Sequence, residues 1–195
     1  MKYSESSYLM KKKLSDALKK EMETQPLKKV TVSKIIEDCG VNRKTFYYHF
    51  TDIYDLLKWT LEEEAVEVVK QFHLTTEYKD AVEFVIDYVE KNAHIINCAY
   101  DSMGREEMKR FFCNDFYEVT SKYIDDYVKE KKLDVDPIYK KFLTMLYTEG
   151  LAGLLINLFQ NKDLFMKDKA IEYVTFTIGN SVPHLLEKAN KKATS

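Results

Sequence analysis

A chain of 195 residues accommodates one core domain with a small appended module and is expected to bury about 70% of its unfolded surface. Five glycines, three prolines and no internal repeat or low-complexity run exclude a fibrous or linker-like chain. The net charge of −2 hides a split: residues 1–58 hold 12 basic and 8 acidic side chains (+4), residues 59–195 hold 18 and 24 (−6). This excludes a nucleic-acid coat over the whole surface and fits phosphate contact at one end.

No segment of useful length alternates with period two, so the fold class is all-α. The first predicted helix covers residues 5–23, with Tyr8, Leu9, Leu14, Leu18 and Met22 as its apolar stripe. Lys11, Lys12 and Lys13 lie largely off that stripe, either as solvated surface or facing a DNA backbone. Pro26 breaks the helix, and Leu27 and Val30 fold back as core plugs.

Thr31 to Leu57 is the most informative stretch. Val32, Ile35, Ile36 and Cys39 recur at helical spacing, and Gly40 supplies the positive φ that ends their helix. Asn42 is a natural N-cap for the next helix, its side-chain oxygen accepting from the amide of Lys44 or Thr45. Phe46 and Phe50 point inward, so Lys44, Thr45 and Tyr48 lie opposite them, flanked by Arg43 and Tyr47 on one side and His49 on the other. That outer face is basic, aromatic and without a carboxylate between Arg43 and Thr51. A groove-reading helix fits this pattern, and so does a solvated helical hairpin, which is a common shape.

Residues 52–73 read as one long helix capped by Asp52, linking the N-terminal helices to the rest of the chain. Glu62, Glu63 and Glu64 are a metal cluster or a solvated face, and consecutive helical positions pointing apart favour the latter. Further helices are predicted over 77–92, His94 to Tyr100 with an end near Gly104, 105–131, 138–160 and 166–189. In YTEGLAGLLINLF, Gly150 and Gly153 precede an apolar run through Leu154, Leu155, Leu158 and Phe159. The last helix carries a stripe of Ile171, Val174, Ile178, Val182 and Leu185. These two helices either complete a core or pair with the same two helices of a second copy.

The motifs of a hydrolase nucleophile, a zinc protease, a phosphate loop and a dinucleotide site are all missing, so neither catalysis nor a cofactor is expected. His94 and Cys98 at i, i+4 are metal ligands or core residues, and no third or fourth ligand is identifiable, so no metal is expected. Cys39, Cys98 and Cys113 are widely spaced and odd in number, as for free thiols in a reducing compartment. The N-terminal MKYSESSY has no apolar signal region and no apolar run reaches about 18 residues, so a soluble, cytoplasmic protein with no membrane partner is expected. Aromatic side chains with polar tips suit a cavity for an organic effector with a few polar groups, and the candidates are Trp59, Tyr88, His94, Tyr100, Phe112, Phe116, Tyr117 and Tyr147.

TVSKIIEDCGVNRKTFYYHF followed by DLL resembles the N-terminal domain of the TetR family of bacterial transcription regulators. Thr31, Ile35, Gly40, Val41, Thr45, Phe46, Tyr47, His49, Phe50 and Leu56 carry the resemblance over about 55 residues. Where the family usually has a lysine after the Phe, this chain has Ile53, so no phosphate contact from that side chain is expected. NRKTFYYHFTDIYDLLKW further resembles a branch that includes regulators of dihydroxyacetone kinase operons, some of them activators working with a partner protein.

The resemblance implies an all-helical homodimer, with a helix-turn-helix DNA-binding domain at residues 1–51 and a helical ligand-binding and dimerisation domain at 52–195. It implies a repressor on a palindromic operator, released by an unidentified small-molecule effector. A regulator without such a ligand, or an activator controlled by a protein partner, is the alternative. Arg43, Lys44, Thr45 and Tyr48 are expected at base edges, with Thr31, Tyr47 and His49 on phosphates and Asn42 at the helix start. Gly150, Leu154, Leu158, Ile171, Val174, Ile178 and Val182 are expected at the dimer interface.

Overall fold

The computed structural model describes residues 2–160 and 167–191, and every regular element among them is helical. Residue 166 and the Phe159 side chain, both named above, lie outside what is described. The chain resolves into two compact units, Met1–Glu64 with Asn92–Arg105, and Ala65–Lys91 with Glu106–Ser195.

The first unit contains α1 (Lys2–Met22), a 3-10 turn (Leu27–Lys29), α2 (Val32–Cys39), α3 (Arg43–His49), α4 (Ile53–Leu61) and, returning later in the chain, α7 (Ala93–Met103). Leu14, Leu18 and Met22 of α1 are buried with Ile35 and Cys39 of α2, Phe46 of α3, and Leu56 and Leu57 of α4. The α1 stripe begins later than expected, because Tyr8 and Leu9 at its start are exposed. Inside this unit the Thr60 hydroxyl donates to the Leu56 carbonyl (2.8 Å) and accepts from the Ser15 hydroxyl (3.0 Å), so this buried polar pair between α1 and α4 is satisfied. The α7 helix is bound by unusual partners. Cys98 Sγ accepts from the Leu27 amide at 3.0 Å and donates to the Gln25 carbonyl at 3.7 Å, and His94 Nε2 lies 2.7 Å from the Met22 carbonyl.

The burial of Leu56, Leu57, Thr60 and Leu61 keeps α4 in the first unit, and Ile96 and Ala99 of α7 are buried there too. The predicted long helix 52–73 is interrupted. After α4 come a π-helical turn (Glu62–Val66), a short α5 (Glu67–Val69) and a break before α6 (Leu74–Lys91). The boundary between units falls within that π-helical turn, between Glu64 and Ala65.

The second unit holds α5, α6, α8 (Arg105–Glu130, from its second residue), α9 (Pro137–Gln160) and α10 (Lys167–Lys188). Its core gathers Val69, Leu74, Ala81, Tyr123, Ile124, Tyr127, Leu143, Val182 and Leu186. Gly179 lies where α10 meets α6, and a Cβ there would displace the Tyr78 ring. Tyr127 donates to Glu187 (2.8 Å), and Tyr147 pairs with Ser181 (2.6 Å), giving a buried and a half-buried phenol their partners. No helix among the described residues is long and apolar enough to cross a membrane.

Candidate nucleic-acid interface

Local chemistry sets the two-helix motif. Thr31 is extended (φ −120°, ψ 149°) and its side chain accepts from the Lys34 amide at 3.3 Å, opening α2. Gly40 sits in the left-handed region (φ 62°), its amide bonding to the Glu37 carbonyl while Val41 bonds to Ile36, both at 3.0 Å. This paired closure satisfies two of the last carbonyls of α2 and turns the chain sharply. Asn42 Oδ1 then accepts from the Thr45 amide (2.9 Å) and the Thr45 hydroxyl (3.1 Å), opening α3. Asp52 caps α4 through the Asp55 amide (2.9 Å), and the Asp55 carboxylate returns to the Thr51 amide (2.8 Å).

With both ends held, α3 has a fixed rotation. Phe46 is fully buried and Phe50 nearly so, their rings 6.1 Å apart. On the other side Arg43, Lys44 and Tyr47 are exposed, and Tyr48 is 81% exposed. Thr45 is half-buried, and its hydroxyl proton is already engaged by Asn42, which leaves its oxygen lone pairs and methyl for any outside contact. His49 is half-buried, its ring edge-on to Tyr48 at 4.9 Å. Burial first, then the charge of Lys11, holds its imidazole below the usual histidine range. At neutral pH it therefore offers one N–H donor and not a cation.

Two residues here were left open or unremarked in the sequence, and a third has a role its sequence position did not show. Lys11 Nζ stands 5.8 Å from the Phe50 ring and 5.6 Å from Trp59, so one lysine of the triplet is held beside the end of α3 by two aromatic faces. Ser33 accepts from Arg43 Nη2 at 2.7 Å. Ile53, expected to leave a phosphate contact unfilled, is only 8% exposed and belongs to the core, whereas Tyr54 beside it is exposed. The spacing of the sequence could not show these, since each depends on which helices meet.

The effector candidates do not form one group. Trp59 joins an aromatic cluster of the first unit with Tyr8 (6.1 Å) and Phe50 (5.9 Å), while His94 and Tyr100 also belong to that unit. His94 is exposed and bonded to backbone. In the second unit Phe112 stacks on Phe116 at 5.9 Å, Tyr88 stacks on Phe84 at 6.4 Å, Tyr147 bonds to Ser181, and Tyr117 is partly exposed. The three consecutive glutamates also part ways: Glu62 pairs with Lys58 (3.4 Å), Glu64 with Lys19 (2.6 Å), and Glu63 takes a hydrogen bond from Tyr8. Cys39 and Cys98 are buried free thiols and Cys113 is a half-buried one.

The expected dimer stripe also divides. Ile171 (8% exposed) and Val182 (1%) face the core of their own unit, and Ile178 packs against it. Leu154, Leu158 and Val174 are half-buried, and Gly150 is exposed. The apolar side chains that do face outward are Ile138 (78% exposed), Phe142, Met145 and Leu146 on α9, with Tyr173 and Phe176 on α10. Ile138, Phe142, Leu146 and Gly150 follow one another at four-residue steps, which makes a single continuous face.

Residues 14–58 match a family model described as bacterial regulatory proteins, tetR family, and residues 76–174 match one described as a transcriptional regulator C-terminal region. No curated protein sequence matches the chain. Among solved structures the fold is similar to that of the dihydroxyacetone kinase operon activator DhaS. That similarity has a TM-score of 0.68 at 18% identity, over 94% of this chain and 99% of that one. It is also similar to NalD, the secondary repressor of the MexAB-OprM multidrug efflux pump in Pseudomonas aeruginosa, with a TM-score of 0.50 at 15% identity over 88% and 96%.

Proposed function

As this chain belongs to the TetR family of bacterial transcription regulators, we propose that it is a dimeric repressor that reads a palindromic operator with α3 and is released by a small organic effector. The observation that carries this is the outer row of α3. Arg43, Lys44, Tyr47 and Tyr48 project from a helix whose opposite side is buried and whose N-terminus is capped. Arg43, Lys44, Tyr48 and the Thr45 oxygen and methyl would meet base edges, where a good bidentate pair is worth about 1–3 kcal/mol of discrimination. Thr31, Tyr47, His49 and Lys11 would meet phosphates and set register.

The division of labour follows the chain. Residues 1–51 read DNA, and residues 52–195 respond to the effector and dimerise. The exposed face of α9 and α10 supports pairing with a second copy, because a two-fold interface must present a self-complementary patch. Such a dimer presents two α3 helices, expected about 34–36 Å apart when one helical turn separates the half-sites. An effector near Tyr88, Phe112, Phe116 and Tyr147 would act on that spacing. To move occupancy from nearly full to nearly empty it needs roughly a 10⁴-fold preference for the released state.

The fold itself is found in an activator and in a repressor. Repression is the proposed sign, since it requires only that the operator be occupied. A mobility shift with the DNA upstream of the chain's own operon tests the reading. Retarded complexes that survive competitor DNA are expected, and no retardation by the wild type at low salt would sink it.

A further inference from the structure

Arg43 is not a free surface arginine. Its Nη2 donates to Ser33 Oγ at 2.7 Å, and both side chains are exposed. Ser33 is the second residue of α2 and Arg43 the first of α3, so this bond ties together the N-terminal ends of the two helices. Recognition helices meet base edges through their N-terminal residues, while the preceding helix lies across the backbone. Acidic partners were available: Glu37 and Asp38 lie on α2, yet Lys34 pairs with both and Lys20 also with Asp38. Arg43 is thereby held by a neutral hydroxyl, which orients the guanidinium without cancelling its charge.

We propose that Ser33 is a positioning residue for Arg43, holding its guanidinium so that the remaining N–H edge reads a guanine in the major groove. The inference rests on the DNA-reading function proposed above and deepens it. A guanidinium has five N–H donors in a rigid fork, of which Ser33 takes one. A bidentate contact to guanine O6 and N7 takes two more, so both demands are met together. Because Ser33 accepts in this bond, its own proton is left to donate to a DNA phosphate, coupling backbone register to base choice. Without the tether, Arg43 must surrender its rotamer freedom when DNA binds.

Selection from a randomised duplex library with the full-length protein tests this, comparing wild type with Ser33→Ala, Ser33→Thr, Arg43→Ala and the Ser33→Ala/Arg43→Ala pair. Ser33→Ala should weaken the preference for guanine at one base pair of each half-site by about tenfold, within the range a single bidentate contact supplies. It should leave the salt dependence of binding unchanged, since no charge is lost. Arg43→Ala should flatten the same base pair and lower the salt slope by about one. The double variant should be no less selective than Arg43→Ala alone, and Ser33→Thr should restore the preference. Because Ser33 is exposed, each protein should show the wild-type helical content and melting profile. If Ser33→Ala keeps the guanine preference, or if the two variants flatten different base pairs, the pairing is overturned. If wild type enriches no motif at all, the DNA-reading premise falls and this inference with it.

Discussion

Helices α3 and α9 each bury one side and expose another, but the exposed sides differ in kind. Outward from α3 stand a guanidinium, an ammonium and two phenols, whereas Ile138, Phe142, Met145 and Leu146 stand outward from α9. A face of donors and charge suits phosphate and base edges, which water hydrates until they are replaced by equivalent hydrogen bonds. A large apolar face exposed along several turns gains only by being covered. The difference shows that outward-facing residues identify a function class only when their chemistry is known along with their exposure.

The sharpest way to break the comparison is to attack the buried side of α3. Phe46→Ala should cost about 3–5 kcal/mol of stability in urea denaturation, and binding should vanish with the helix it anchors. On α9 the outward side is the sensitive one. Phe142→Glu with Leu146→Glu should convert the proposed dimer to a monomer by sedimentation velocity and lower operator affinity on the order of 10²-fold, because two linked heads bind far better than one. A double variant that stays dimeric would remove this face from the interface.

Tyr48→Ala inverts that pattern. It should leave the oligomeric state alone and weaken specific binding by about 1–2 kcal/mol, with little change on non-specific DNA. If both kinds of DNA lose equally, Tyr48 is a phosphate contact. Asn42→Ala removes the cap that also holds Thr45, and a stability loss of about 1 kcal/mol is expected by thermal unfolding.

The smallest effect is that of acid on His49. Its folded pKa lies below the ordinary value of 6.5, so as pH falls the unfolded state takes up the proton first. The contribution of His49 is therefore fully present above pH 6.5 and is lost as pH falls from there through the folded value. His49→Gln should flatten that part of the stability profile, and a wild-type profile that stays flat between pH 7 and 5 would show that the group is not held neutral.

Legibility in the sequence followed the range of the interactions. Gly40, Asn42 and Asp52 were legible as turn and caps because each acts on backbone within four residues of itself. Phe46 and Phe50 were legible for a related reason: the opposite side of α3 is polar, so only one rotation hides the apolar edge. α9 and α10 lack that contrast. The outward Phe142 and Leu146 and the inward Leu143 and Val182 are equally apolar, so nothing in their spacing says which stripe meets which neighbour. The contact of Trp59 with Tyr8 was not legible, because Tyr8 lies 51 positions earlier in the chain. The π-helical turn at Glu62–Val66 left no sign in a run of good helix formers.

By itself the sequence determined that the fold is all-helical, where α2 ends and where α3 and α4 begin, and that one short helix carries a basic, aromatic outer face. These follow from periodicity, capping and charge, which act over a few residues. Tertiary structure alone decided that Ser33 meets Arg43, that Lys11 stands over Phe50 and Trp59, that α7 returns to the first unit, and that Ile138, Phe142 and Leu146, and not Ile171 and Val182, face outward. Each of these depends on burial and packing between segments distant in sequence, where the free energy of covering apolar surface chooses among faces that look alike one residue at a time.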